Sequence, residues 1–319
     1  MKDVICIVGP TATGKTALSV RLAQKYGAEI VSCDSMQLYR GMDVGTAKPT
    51  KDEMGGVPHH MIDCLDPREP YSVSRYVEDA DRCVQDILRR DRRVIVVGGT
   101  GLYVDSLIAG RQFAPFPETG RREELTRIAE TQGIEVLMER LRSVDPDAAA
   151  KIHPSNRKRV IRALEIYLET GKTMTAHDLE TKMQPARYDP CWIGLDYVNR
   201  ETLYRRIDLR VERMMEQGLA GEVRALLNSG VPAGATAMQA IGYKELTAYL
   251  RGEGTQEGAV AAIQQASRRY AKRQRTWFRR NGAIRWIELP DAPFDPFPAA
   301  CAIYEAPDEV VAGTGRGSR

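Results

Sequence analysis

Residues 9–16 read Gly-Pro-Thr-Ala-Thr-Gly-Lys-Thr, a spacing that gathers groups able to hold a phosphate. Gly9 and Gly14 permit a tight turn whose main-chain N–H groups point inward, Lys15 adds a mobile cation, and Thr16 offers a hydroxyl to Mg²⁺. Pro10, Thr11, Ala12 and Thr13 complete the loop. Asp34 follows the short apolar run 29–32. There it either faces a phosphate at the carboxyl end of a strand or caps the next turn. Thr100, within Gly98-Gly99-Thr100-Gly101, can donate to a phosphate oxygen or cap the helix opening at Leu102. Arg206 and Arg210 stand four apart and so share a helix face. Such a pair reaches a phosphate, or pairs with Asp208 and Glu212.

The elements that must position these groups follow from the pattern around them. The phosphate loop lies between the apolar run Val4 to Val8 and an amphipathic stretch ending near Tyr26-Gly27, so the dipole of a helix N-terminus adds to the same anion site. Further buried strands are expected at Arg93 to Val97, Cys191 to Asp196 and Arg285 to Leu289. This order predicts an α/β fold, a doubly wound parallel sheet of the phosphate-loop NTPase or kinase type, with a helical insertion domain. The expected bounds are 1–116 and 187–304 for the core and 117–186 for the insertion, with a disordered tail at 305–319. The composition changes at Ala114-Pro115-Phe116-Pro117, and the sequence is helical in pattern from there to about Thr181. Gly41 to Pro70 reads as a long functional loop, in which His59-His60 serve substrate or structure in preference to a metal. Gly234 to Tyr243 reads as small and flexible.

Composition narrows the use of the site. Of 319 residues, 43% are hydrophobic and 28% charged, which excludes a disordered chain. No segment approaches about 18 consecutive apolar residues, so a cytoplasmic protein without a membrane partner is expected. The six cysteines are widely spaced, without a C-x-x-C pair, and read as reduced thiols. The net charge is only +3, but the cations concentrate in two places. Asn156 to Leu164 holds four, and Arg268 to Arg280 holds seven with no acid, interleaved with Tyr270, Trp277 and Phe278. Cations among aromatics suit RNA phosphates and unstacked bases, whereas a solvated helix face is the plainer explanation. A GTPase is excluded because no [NT]-K-x-D signature occurs, and an ATPase would have only Asp196 to close an apolar strand over Mg²⁺. A small-molecule or nucleoside kinase using ATP survives, with Asp34 as base and Arg206 and Arg210 as lid arginines, but it leaves the basic stretches without a task.

The phosphate loop taken with residues 34–40 (Asp-Ser-Met-Gln-Leu-Tyr-Arg), 42–49 (Met-Asp-Val-Gly-Thr-Ala-Lys-Pro), 58–63 (Pro-His-His-Met-Ile-Asp) and 98–103 (Gly-Gly-Thr-Gly-Leu-Tyr) resembles the tRNA dimethylallyltransferase, or isopentenyltransferase, family. The resemblance runs from residue 3 to about 290 and is of the bacterial type, since the C-terminal zinc finger of eukaryotic members is absent. It departs from the family at Thr13, where Ser is common, and at Cys33, where Ala is common. Neither change removes a charge or a donor.

The resemblance implies transfer of a dimethylallyl group from dimethylallyl diphosphate to N6 of the adenine immediately 3′ of the anticodon. The loop then holds diphosphate, with Mg²⁺ through Thr16. Asp34 is the implied base, while Lys15, Thr100 and Arg206 or Arg210 stabilise the leaving group. The partner is a tRNA anticodon stem-loop, with no obligate protein partner. Its implied contacts are Asp34, Ser35, Met36, Gln37 and Thr100; Lys158, Arg159, Val160, Ile161 and Arg162; Gln239, Ala240, Ile241, Gly242, Tyr243 and Lys244; and Arg273, Arg275 and Trp277.

Overall fold

The computed structural model describes residues 1–111, 113, 119–183 and 185–306. The composition change at 114–117 and the expected tail beyond 306 lie outside the described residues. The chain divides into two compact units, Met1–Gly110 with Arg187–Arg319, and Arg111–Ala186.

The first unit opens with β1 (Val4–Val8), α1 (Lys15–Tyr26) and β2 (Ala28–Ser32). A short α2 (Lys51–Met54) precedes β3 (His59–His60), and α3 (Val73–Arg89) leads into β4 (Arg93–Gly98) and α4 (Gly101–Ala109). The second unit holds α5 (Arg121–Thr131), α6 (Ile134–Val144), α7 (Pro146–Lys151), α8 (Arg157–Thr170) and α9 (Met174–Met183). The first unit resumes with β5 (Cys191–Tyr197), α10 (Arg200–Glu216), α11 (Leu219–Asn228), a 3₁₀ turn at Ala237–Gln239 and α12 (Tyr243–Leu250). It ends with α13 (Gln256–Phe278), β6 (Arg285–Leu289) and α14 (Phe297–Glu305).

The strands form one sheet in the order β3-β2-β4-β1-β5-β6, every neighbouring pair parallel. From β1 the chain winds to one side through β2, β3 and β4 and to the other through β5 and β6. The loop leaving the carboxyl end of β1 therefore stands at the switch point, where such sheets bind ligands. This is the doubly wound α/β fold expected. β3 was not among the expected strands: two histidines make no apolar run, and they become a strand only by pairing with Ile30 and Val31.

Buried β-branched and leucine side chains of the sheet pack with α1 and α14, Ile5, Ile7, Ile30, Ile193 and Leu195 among them. The stretch Gly234 to Tyr243 is not loose as expected, because Ala237 and Met238 are fully buried beside Val211, Leu219 and Tyr243. The second unit has its own core, including Leu137, Leu141, Val160 and Leu164. Among the described residues no helix is long and apolar enough to cross a membrane.

Candidate active site

The turn from β1 into α1 is built to hold an anion. Gly9 has φ 140°, and a Cβ there would lie 2.2 Å from the Leu195 carbonyl oxygen, so glycine lets the loop start against the backbone of β5. Gly14 at φ 84° precedes α1, whose first turn receives no side-chain cap. Its N–H groups are thus available to a ligand. Ala12 takes a left-handed φ of 65°, a strain that tight functional loops store. Lys15 Nζ donates to the Pro10 carbonyl at 2.6 Å. Burial, and then the Arg210 guanidinium, pull its pKa down to about 7, with Asp34 opposing. Thr13 Oγ1 donates to the same Pro10 carbonyl at 2.9 Å, so its hydroxyl staples the loop, a task serine would also perform. The Thr11 N–H is already given to Gln274 Oε1 at 2.9 Å.

Two cavities open beside this loop. One, of about 90 Å³, runs past Lys15 and Thr16 and along the carboxyl ends of the strands, by Gly98, Ser32 and His59, with Ile30, Ile62 and Val97 as its apolar wall. The other, of about 280 Å³, is lined by Met36, Ile207, Val211, Met214, Ile241 and Ile263, with Gln239 and Arg273 among its polar residues. Thr11, Asp34, Thr46, Arg210 and Tyr270 line both. A carboxylate and a guanidinium therefore stand where a phosphate-binding cavity meets an apolar one.

Asp34 Oδ1 accepts the Met36 N–H at 2.9 Å, as a turn cap does, and the residue also lines both cavities. Thr100 occupies the first capping position of α4 without a side-chain cap bond; its Oγ1 instead accepts the Ser35 N–H at 3.2 Å. It lines neither cavity, and its side chain also meets that of Tyr270. Arg210 Nη1 donates to Thr11 Oγ1 at 2.9 Å. Arg206 is exposed, with Nε 3.4 Å from the Ala12 carbonyl. Asp208 is paired with Arg268, not with either of them. Burial lowers the pKa of Arg210, with Asp34 opposing. Tyr270 is raised to about 12 by burial and then by the charge of Asp34.

Several residues expected to meet RNA face the protein instead. Val160 and Tyr243 are fully buried and Ile161 nearly so. The Tyr243 hydroxyl donates to Glu222, whose other oxygen accepts the Asp43 and Val44 N–H groups at 2.8 Å each. Arg162 donates to Glu165 at 2.8 Å. Arg275 and Arg279 both donate to Asp196 Oδ2, at 2.9 and 3.1 Å. The one strand-end carboxylate an ATPase could have used is thereby engaged. Trp277 Nε1 donates to Asp105 at 2.8 Å, and Phe278 is in the core. The exposed cations of α13 are Arg269, Lys272 and Arg273, followed just past its end by Arg279 and Arg280, and Lys158 and Arg159 are exposed on α8. Two positioning groups escaped the sequence reading. Lys48, nearly buried, donates to the Tyr39 carbonyl and to Asp43 and Asp63, and Gln274 is treated below. The partners of Gln274 are distant in sequence, whereas those of Lys48 lie only 5 to 15 residues away, in a loop whose path no hydrophobic period reveals.

A parallel sheet with a phosphate loop at its switch point, and a carboxylate between the cavity beside that loop and a larger apolar one, defines a phosphate-loop transferase. Comparison with known proteins narrows the class. A family model described as IPP transferase matches residues 37–281, and one described as isopentenyl transferase matches 2–66. The tRNA dimethylallyltransferase of Caldanaerobacter subterraneus subsp. tengcongensis is 47% identical over 291 residues, 91% of this chain and 92% of that protein. That of Geobacter metallireducens is 46% identical over 287 residues, 90% and 93% of the two chains. Among solved structures, the full-length tRNA isopentenylpyrophosphate transferase of Bacillus halodurans has a TM-score of 0.72 at 42% identity, covering 96% of both chains. A eukaryotic dimethylallyltransferase acting on tRNA has a TM-score of 0.81 at 31% identity, covering 97% of this chain and 79% of its own. The chain belongs to the tRNA dimethylallyltransferase family.

Proposed function

We propose that the chain transfers a dimethylallyl group from dimethylallyl diphosphate to N6 of the adenine immediately 3′ of a tRNA anticodon. The observation that carries this reading is the junction itself: Asp34 and Arg210 line both the phosphate-loop cavity and the larger apolar one. Diphosphate rests on the loop and the first turn of α1, with the five-carbon chain along Ile30, Ile62 and Val97. The adenine leaves its stack and enters the larger cavity, as enzymes acting on a base require.

In the transfer, the bond from the allylic carbon to the diphosphate oxygen breaks and a bond from that carbon to N6 forms. The amine proton passes to Asp34, because an exocyclic amine delocalised into its ring is a poor nucleophile unless that proton is removed. Lys15, Arg210 and the loop N–H groups stabilise the charge that develops on diphosphate. Thr100, through the Ser35 N–H, steadies the turn that carries Asp34. The hydroxyl of Thr16 and the carboxylate of Asp34 are hard oxygen donors on the same cavity, and they fit a Mg²⁺ held mainly by phosphate oxygens and water. Such an ion, when bound, neutralises leaving-group charge. The exposed cations of α13 and α8 suit the phosphates of an anticodon stem-loop, and a cytoplasmic location follows from that substrate.

The test is to supply labelled dimethylallyl diphosphate with tRNA, and separately ATP with small acceptors. Label is expected in RNA at the adenine beside the anticodon, and phosphoryl transfer from ATP without RNA labelling would overturn the reading in favour of a kinase. In the same assay Asp34→Ala should lower turnover by about 10²- to 10⁴-fold with tRNA affinity changed only a few-fold. A defect confined to tRNA binding would leave Asp34 as a turn cap alone. Affinity for the stem-loop should fall steeply with salt, and removal of one phosphate contact should flatten the log–log slope by up to about one unit.

A further inference from the structure

Gln274 is the buried polar residue in the basic second half of α13, 5% exposed between Arg273 and Arg275. Its amide oxygen accepts the Thr11 N–H at 2.9 Å, and its amide nitrogen donates to the Gly99 carbonyl at 3.0 Å. One side chain thus ties α13 to the turn after β1 and to the turn after β4. A carboxamide of this length reaches both turns with a donor and an acceptor at once: glutamate keeps the acceptor alone, methionine keeps neither, and asparagine is a methylene short. The glycine at 99 has the same origin. A Cβ there would lie 2.1 Å from Gln274 Nε2 and no closer than 3.8 Å to the next residue, Gly9.

We propose that Gln274 is a positioning residue for the prenyl diphosphate, holding the two glycine turns at a fixed separation before the donor arrives. This rests on the function proposed above. Thr11 is clamped twice, by Gln274 at its N–H and by Arg210 at its hydroxyl, and Gly9 is fixed against β5. The phosphate-facing part of the loop, Ala12 to Thr16, hangs from that clamp. Donor groups held in place beforehand need no reorganisation when the anion binds, and a loop free to drift loses affinity for it. The clamp touches neither the reacting carbon nor the base, so its loss should be read in donor binding.

The test combines steady-state kinetics with a double-mutant cycle. Gln274→Met should raise the KM for dimethylallyl diphosphate by at least about tenfold, with kcat within about threefold and stem-loop affinity, measured without donor, within about twofold. Gln274→Glu should not rescue, because it cannot donate to the Gly99 carbonyl. Gly99→Ala should by itself raise the donor KM, since its methyl displaces the amide. Added to Gln274→Ala it should change nothing further, because the space is already vacant. An unchanged donor KM in Gln274→Met, or effects of Gly99→Ala and Gln274→Ala that simply add, would overturn the proposal. Should Gln274→Met fail to fold, Gly99→Ala alone and in the Gln274→Ala background carries the test. If the wild type transfers no prenyl group, the proposed function fails instead, and the clamp is then judged by calorimetry with inorganic diphosphate, whose Kd should rise by about tenfold in Gln274→Met.

Discussion

The turns after β1 and β4 share one recipe, buried strand, glycines, hydroxyl residue and helix, yet they spend their glycines differently. At the first, every glycine answers to conformation: Gly9 has φ 140° as well as its close approach to Leu195, and Gly14 has φ 84° with nothing within 4 Å of where its Cβ would be. At the second it answers to space. A Cβ on Gly98 would lie 2.2 Å from the Cys33 carbonyl oxygen, and one on Gly101 would lie 2.2 Å from Trp277 Cδ1. The chain's own backbone and side chains fill the second turn, whereas the first presents a lysine drawn down to about 7 beside an open cavity. Chemistry belongs where polar groups are left for a ligand to satisfy, and packing belongs where the protein satisfies them itself.

The largest effect that tests this contrast is at Lys15. Lys15→Ala should lower turnover by at least about 100-fold. Thermal stability should hold, because the side chain gives up only its bond to the Pro10 carbonyl. Full turnover in the mutant would erase the distinction between the turns. Next come the glycines. Gly101→Ala should cost about 1–3 kcal/mol by overpacking against Trp277. Gly14→Ala should cost about 1–2 kcal/mol through its left-handed φ. Chemical denaturation in a Trp277→Leu background separates the two mechanisms. There the Gly101→Ala cost should shrink to within about 0.5 kcal/mol of zero, while that of Gly14→Ala stays. Equal rescue of both would mean that the two turns do not differ in kind.

Much of this was legible in the sequence because it is local. The phosphate loop is contiguous, Asp34 ends an apolar run, and β1, β2, β4, β5 and β6 are apolar enough to read as strands, so the doubly wound sheet follows. β3 could not be read, since His59 and His60 are a strand only through Ile30 and Val31. Gln274 could not be read as a clamp, since its partners lie 263 and 175 residues away. Of the aromatic residues of α13, Trp277 is bonded to Asp105 and Phe278 is in the core while Tyr270 lines both cavities, a division the sequence pattern did not show. Cations alternating with aromatics look alike whether the rings face solvent or core. The spacing of Ala271, Gln274 and Phe278, three and then four apart, marks the buried face, and that periodicity was the available signal.

The smallest effect on turnover concerns a buried charge that is the scaffold's counterpart to Lys15. Glu29, on β2 and 7% exposed, accepts from both Arg90 Nη atoms and lies 2.7 Å from His60 Nε2. The Arg90 hydrogen bonds, and after them His60, overcome burial and hold its pKa down from 4.5 to about 2. Because the folded value lies below the unfolded one, the fold binds the carboxylate form preferentially. The stability this contributes is complete above about pH 4.5 and is lost as pH falls toward 2. Glu29→Gln should therefore lower the urea midpoint at pH 7, and its curve should converge on that of the wild type between pH 4.5 and 2. Turnover at pH 7 should change little, since Glu29 lines neither cavity. Midpoints that stay parallel through that acid range would show that Glu29 is not held ionised by its partners, and the contrast between a satisfied buried charge and the one left for the ligand would lose its scaffold half.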